Sequence, residues 1–125
     1  MDRHTKNKEL ISALRLAMYD FSESSVRKVL DGLFISETVL HLCYPLGEKV
    51  GVDNFYMDVF APLLWALPDL ERRDTIVMAG PTQEGADWVG CCGYYTGTFS
   101  EAWLDIPPTG HQVAMRFHEF YRFED

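Results

Sequence analysis

The sequence predicts an α+β domain, with amino-terminal helices packed on the concave face of a curved, mainly antiparallel sheet. Two observations carry that expectation. Apolar residues recur at helical spacing from Leu10 to Leu67, broken by one short alternating segment. From Arg72 onward the pattern changes to period two, punctuated by glycine and proline. A chain of 125 residues suits one domain, 1–125, with a core large enough to need no disulfide or metal staple.

Each element has its own signal. Leu10, Leu14, Ala17, Met18 and Phe21 mark an amphipathic helix over 5–20. Ser22 or Ser24 can cap a second helix, whose stripe is Val26, Val29, Leu30 and Leu33 and whose end is marked by Gly32. Glu37–Tyr44 alternates like a strand, and Pro45 and Gly47 end it. A third helix starts with Asp53 as N-cap and carries Tyr56, Val59, Phe60, Leu63, Leu64 and Leu67. Pro62 should kink it near Val59, and Pro68-Asp69 should stop it. Three strands follow: Arg72–Ala79, Trp88–Phe99 and Gln112–Glu124. Gly90, Gly93 and Gly97 in the second are candidate bulge sites that would bend the sheet.

Charge narrows the function. Nineteen acidic and eleven basic residues leave −8, the wrong sign for a nucleic-acid or anionic-membrane binder. Met1–Glu9 is charged and lacks a signal peptide's apolar stretch. Three cysteines, two of them adjacent, make no disulfide framework, so a reducing cytoplasm is expected. No zinc spacing, phosphate-cradling glycine loop or nucleophile elbow is present, so no metal or cofactor is expected. Aromatics reach 14%, more ring surface than a small core needs, which suggests a cavity for a small hydrophobic molecule. Tyr19, Tyr56, Trp65, Trp88, Phe117 and Tyr121 are the candidate lining residues, although any one such residue is more often plain core. His41 could orient a carbonyl or move a proton, although a hydrogen-bonded core or surface histidine is the more common case.

Three stretches resemble the SnoaL-like polyketide cyclases of the NTF2-like superfamily. They are Gly51-Val52-Asp53-Asn54-Phe55-Tyr56 running to Leu67-Pro68-Asp69, then Gly93–Phe99 with Ile106-Pro107-Pro108-Thr109-Gly110, and finally Met115–Asp125 with its Tyr-Arg-Phe. The resemblance implies a cone-shaped fold, a homodimer formed through the outer sheet face, and cofactor-independent chemistry on a polyketide-type carbonyl compound. In that family the chain continues with Gly-Lys and a last strand, so a longer protein or an early-ending one is implied. The family's long strand often carries a histidine where Tyr95 stands.

Glu119 is the most informative position. Period two puts Val113, Met115, Phe117, Glu119, Tyr121 and Phe123 on one strand face, which makes Glu119 a lone carboxylate on an apolar stripe. Burial there would disfavour ionisation and let it act as a base near neutral pH. The resemblance points the same way, because the family uses an acidic residue on this strand as general base. Glu119 would remove a proton α to a carbonyl, and Tyr95 or His41 would stabilise the oxyanion of an aldol ring closure. The rival readings are a Glu119 paired with a neighbouring arginine or tyrosine hydroxyl in a non-catalytic ligand-binding or dimerisation module, and an isomerase or dehydratase in the same pocket.

Overall fold

The computed structural model describes residues 2–124; Met1 and the last residue of the acidic end, Asp125, lie outside them. Helix α1 (Arg3–Tyr19) opens where Asp2 accepts the Thr5 N–H, and it buries Ile11, Leu14 and Met18. Each such side chain contributes about 2 kcal/mol by leaving water. Of the two candidate caps for α2 (Glu23–Leu33), Ser22 is the one used, and its hydroxyl accepts the Ser25 N–H. Gly32 does not end the helix as expected. It lies inside it, and the Phe34 N–H closes the last turn on Leu30.

The strand expected over Glu37–Tyr44 shortens to β1 (Val39–His41). It pairs antiparallel with β2 (Glu48–Val50), a polar three-residue strand with too little alternation to read. This hairpin is a separate sheet from the main one and is largely exposed.

The third helical segment starts at Gly51 rather than Asp53. Gly51 has φ 85°, and Asp53 sits in the first turn of α3 (Val52–Phe55), where it meets Arg27 at 3.3 Å. The kink expected from Pro62 takes a definite form. A π turn (Tyr56–Phe60) joins α3 to α4 (Ala61–Ala66), and the Ala61 N–H reaches back five residues to the Tyr56 carbonyl. The wider turn absorbs the donor that Pro62 lacks and turns both Tyr56 and Phe60 into the core. Pro68-Asp69 follows the helix as expected, and Asp69 ties it to the sheet by accepting the Thr98 N–H (2.6 Å) and hydroxyl (2.8 Å).

The main sheet is an antiparallel meander in the order β3 (Glu71–Pro81), β4 (Asp87–Thr98), β5 (Gln112–Phe123). β4 and β5 pair in unbroken register. The bulge is in β3, not at the β4 glycines, because Thr75 is the extra residue between Asp74↔Gly93 and Ile76↔Cys92. Gly93 stands opposite it for a steric reason: a Cβ there would lie 2.0 Å from the Arg73 carbonyl oxygen. The bulge also shifts the parity of the strand. Arg72 pairs with the buried Tyr95, and Val77 pairs with the buried Cys91, although they are five residues apart. Both therefore face the helices, which strict alternation would forbid. Val89, Cys91 and Tyr95 of β4 and Phe117 of β5 join Leu14, Met18, Leu30, Phe60 and Leu63 in one apolar core.

Candidate active site

One charged side chain lies inside that core. The Arg72 guanidinium has no exposed side-chain surface. Two carboxylates from different strands divide its fork. Asp74, two residues on along β3, takes Nε (3.2 Å) and Nη2 (3.1 Å) and is held from behind by Arg15 Nε of α1 at 3.0 Å. Nη1 is left to point across the sheet, 2.6 Å from Glu119 Oε2 on β5 and 3.3 Å from the Tyr95 hydroxyl on β4. The guanidinium plane lies over the Phe117 ring, 4.3 Å from its centroid.

Glu119 receives three donors in all. Arg72 and the Tyr121 hydroxyl both donate to Oε2, and the Tyr95 hydroxyl donates to Oε1 at 2.8 Å. The face assignment of β5 from period two holds, since Val113, Met115, Phe117, Glu119, Tyr121 and Phe123 alternate with exposed neighbours. The lone carboxylate does not. Its partners are an arginine from another strand and two phenols, a donor set matched to an ionised carboxylate. Oε1 accepts only one of these bonds, and about a quarter of the side chain reaches solvent (24%).

Burial pushes the Tyr95 and Tyr121 hydroxyls well above the ordinary phenol value, and the Glu119 charge pushes them further. Both therefore stay protonated as donors at neutral pH. Burial works against the Arg72 charge, but Glu119 outweighs it with help from Tyr95, Tyr121 and Asp74, so the guanidinium holds its proton above its usual range. The Cys91 thiol, facing the same interior, is pushed up to about 11, chiefly by burial. It is inert as a nucleophile at neutral pH.

The two phenols also set an alkaline limit on the fold. In the unfolded chain they ionise near the ordinary value of 10.0, while in the fold they keep their protons to higher pH. The stability they contribute is fully present below about pH 10 and is lost as pH rises through the folded values. With two protons involved, the slope approaches about 2.7 kcal/mol per pH unit. The urea midpoint should fall steeply above about pH 10; a midpoint unchanged well beyond that pH would mean the phenols are open to solvent.

Among the residues singled out from sequence, the structure brings Glu119, Tyr95, Phe117 and Tyr121 together. Tyr56 is buried one ring away, against Phe60, which meets Tyr95 edge-on at 6.4 Å. The others stand apart. His41 is on the exposed β1–β2 hairpin, 3.5 Å from Glu48 of the same hairpin. Tyr19 is half exposed at the end of α1, and Trp65 is more exposed still. Trp88 is on the opposite sheet face, because it alternates with the buried Val89 and pairs with Arg122. Arg72, Asp74 and Arg15 were not singled out from sequence. The signal available was the Arg-x-Asp spacing on one strand, and the bulge that turns it inward leaves no trace in composition.

Among the described residues no three His, Cys, Asp or Glu side chains converge as metal ligands, and no helix is long and apolar enough to cross a membrane. Two shallow recesses, of about 270 and 430 Å³, are lined by α1 with β3 and by α2 with β2 and α3; neither is lined by Glu119.

Helices on one face of an antiparallel sheet, with a polar cluster set in the core between them, define an NTF2-like fold. The chain belongs to the SnoaL-like polyketide cyclase family, whose model matches residues 13–125. Three solved structures share the fold. AclR, a candidate hydroxylase from Streptomyces galilaeus, is 23% identical with a TM-score of 0.74, over 98% of this chain and 69% of that one. A candidate SnoaL-like polyketide cyclase from Jannaschia sp. CCS1 is 22% identical with a TM-score of 0.78, over 100% and 83%. IdmH, a candidate polyketide cyclase from Streptomyces antibioticus, is 20% identical with a TM-score of 0.72, over 94% and 83%. No curated protein matches the sequence.

Proposed function

We propose that the chain is a cofactor-independent cyclase acting on a hydrophobic polyketide-type carbonyl compound, with Glu119 as general base. The observation that carries this reading is the partly exposed Glu119 carboxylate at the open end of an otherwise buried polar cluster. Such a cluster is a poor way to gain stability, since apolar residues of equal volume would do as well or better. It is a good way to hold a carboxylate in one place.

The division of donors supports a division of roles. Oε2 is occupied by Arg72 and Tyr121, so Oε1 is the atom that takes the α proton. The C–H electron pair becomes an enolate, and its carbon attacks a second carbonyl of the same substrate. The new alkoxide recovers the proton from Glu119, so substrate and product are isomers. Tyr95 is a protonated phenol that donates to Oε1, and in this reading it turns its hydroxyl to the enolate or alkoxide oxygen once Oε1 carries the proton. Phe117 and Tyr121 form the apolar wall. His41 has no part in this reading.

The reading is tested with an aromatic β-ketoester in deuterated buffer. Catalysed exchange of its α protons, followed by proton NMR, is the expected result. Exchange no faster than in buffer alone would favour the non-catalytic ligand-binding module, in which the three donors on Glu119 serve only to hold the carboxylate.

The outer sheet face exposes Ile76, Met78, Tyr94 and Phe120, a group of apolar side chains on one face. We infer a homodimer through this face, in keeping with the family. Light scattering should give twice 14.4 kDa, and Phe120→Asp should halve the mass; a wild-type mass of one chain would remove the dimer. The three free cysteines fit a reducing, cytoplasmic setting.

A further inference from the structure

Helix α1 turns Ser12, Arg15, Leu16 and Tyr19 toward β3, the spacing of a single helix face. With Arg72, Arg73 and Asp74 they line a solvent-open recess of about 270 Å³, room for a molecule of one ring. It lies on the α1 flank of the β3 edge, and Glu119 is not among its walls.

The walls divide by chemistry. Leu16 and Tyr19 are 70% and 52% exposed, large apolar surfaces on a helix whose remaining exposed positions are mostly polar. Arg15 and Arg73 supply the charge. The one carboxylate in the lining, Asp74, is nearly buried and already engaged by Arg72 and by Arg15. The ion pairs of Arg15 and Arg73 run through Nε, to Asp74 and Glu71, and among the described residues no hydrogen bond engages the terminal nitrogens of either fork. Arg73 also lies over the Tyr19 ring at 5.4 Å, so the aromatic wall and the cation are arranged beforehand. Three guanidinium groups against one carboxylate in the lining favour an anionic ligand here, on a chain whose net charge is −8.

We propose that this recess is a binding site for a small aromatic carboxylate. The ring lies along Leu16 and Tyr19, and the carboxylate is taken by the guanidinium forks of Arg15 and Arg73, whose planar geometry suits it. The site backs onto the Glu119 cluster through Arg72 and Asp74, but Glu119 does not line it and the proposal does not depend on a catalytic role for Glu119.

The test is an amide NMR titration of the full chain with benzoate, set against benzyl alcohol, its uncharged counterpart of similar shape. Benzoate should shift the Ser12, Leu16, Tyr19 and Arg73 amides and saturate with a Kd of about 1 mM, the scale open to so small a ligand. Arg73 is largely exposed, so Arg73→Gln should keep the fold and bind benzoate about tenfold more weakly. An equal response to benzyl alcohol, undiminished binding in Arg73→Gln, or shifts confined to residues around Glu119 would each overturn the proposal.

Discussion

Glu119→Gln should lower catalysed α-proton exchange by about 10²–10⁴-fold, the usual contribution of a positioned base, while the chain stays folded. The amide keeps the size of the side chain and one acceptor oxygen but cannot take a proton at neutral pH. A second readout separates lost chemistry from lost structure. The Glu119 charge helps hold the Tyr95 and Tyr121 phenols above their ordinary range. Removing it should bring their ionisation, read from phenolate absorbance, to lower pH. A variant with wild-type exchange rate and shifted phenols would show that the carboxylate organises the cluster without acting as base. A variant with lost exchange and unshifted phenols would mean that the cluster does not form in solution as described.

How much of this was legible in the sequence depends on whether a contact is local. The three long strands and both amino-terminal helices announce themselves through short-range periodicity, and Glu119 stands out because its strand alternates so regularly. The helical segment from Val52 to Ala66 was legible in extent but not in form, since Pro62 demands some adjustment without saying that a π turn makes it. The β1–β2 hairpin was half visible, because Glu48-Lys49-Val50 carries no apolar alternation. The main omission was Arg72. A strand read as Arg72–Ala79 with period two puts Arg72 and Val77 on opposite faces, and only the extra residue Thr75 puts them on the same one. A bulge is a property of two strands, and neither strand records it alone. His41 and Trp88 were misplaced for the complementary reason. Residue type suggested chemistry, but the pairing of β1 with β2 and the parity of β4 direct them elsewhere.

Arg72→Met should be the most destabilising single change in the cluster. β3 and β5 do not pair with each other, since β4 lies between them. Arg72 reaches over β4 from one to the other, a span of about 10 Å between strand axes. Loss of the cation leaves Glu119 with two phenols and Asp74 with Arg15 alone, both deprived of the charge that offsets their burial. The expected cost is about 3–5 kcal/mol, a large part of what a domain of this size has to lose. Urea unfolding with an unchanged m-value measures it directly. Arg72→Lys should fall between, because a single ammonium can serve Glu119 or Asp74 but lacks the fork that serves both. In a Glu119→Gln background the same Arg72→Met change should cost less, since one of the two orphaned charges is already gone, and the difference is the coupling across the sheet. A cost below about 1 kcal/mol for Arg72→Met would mean that the arginine is a passenger in the core. The full cost with strong coupling would establish it as the strut that sets where the Glu119 carboxylate stands, on which the proposed chemistry depends.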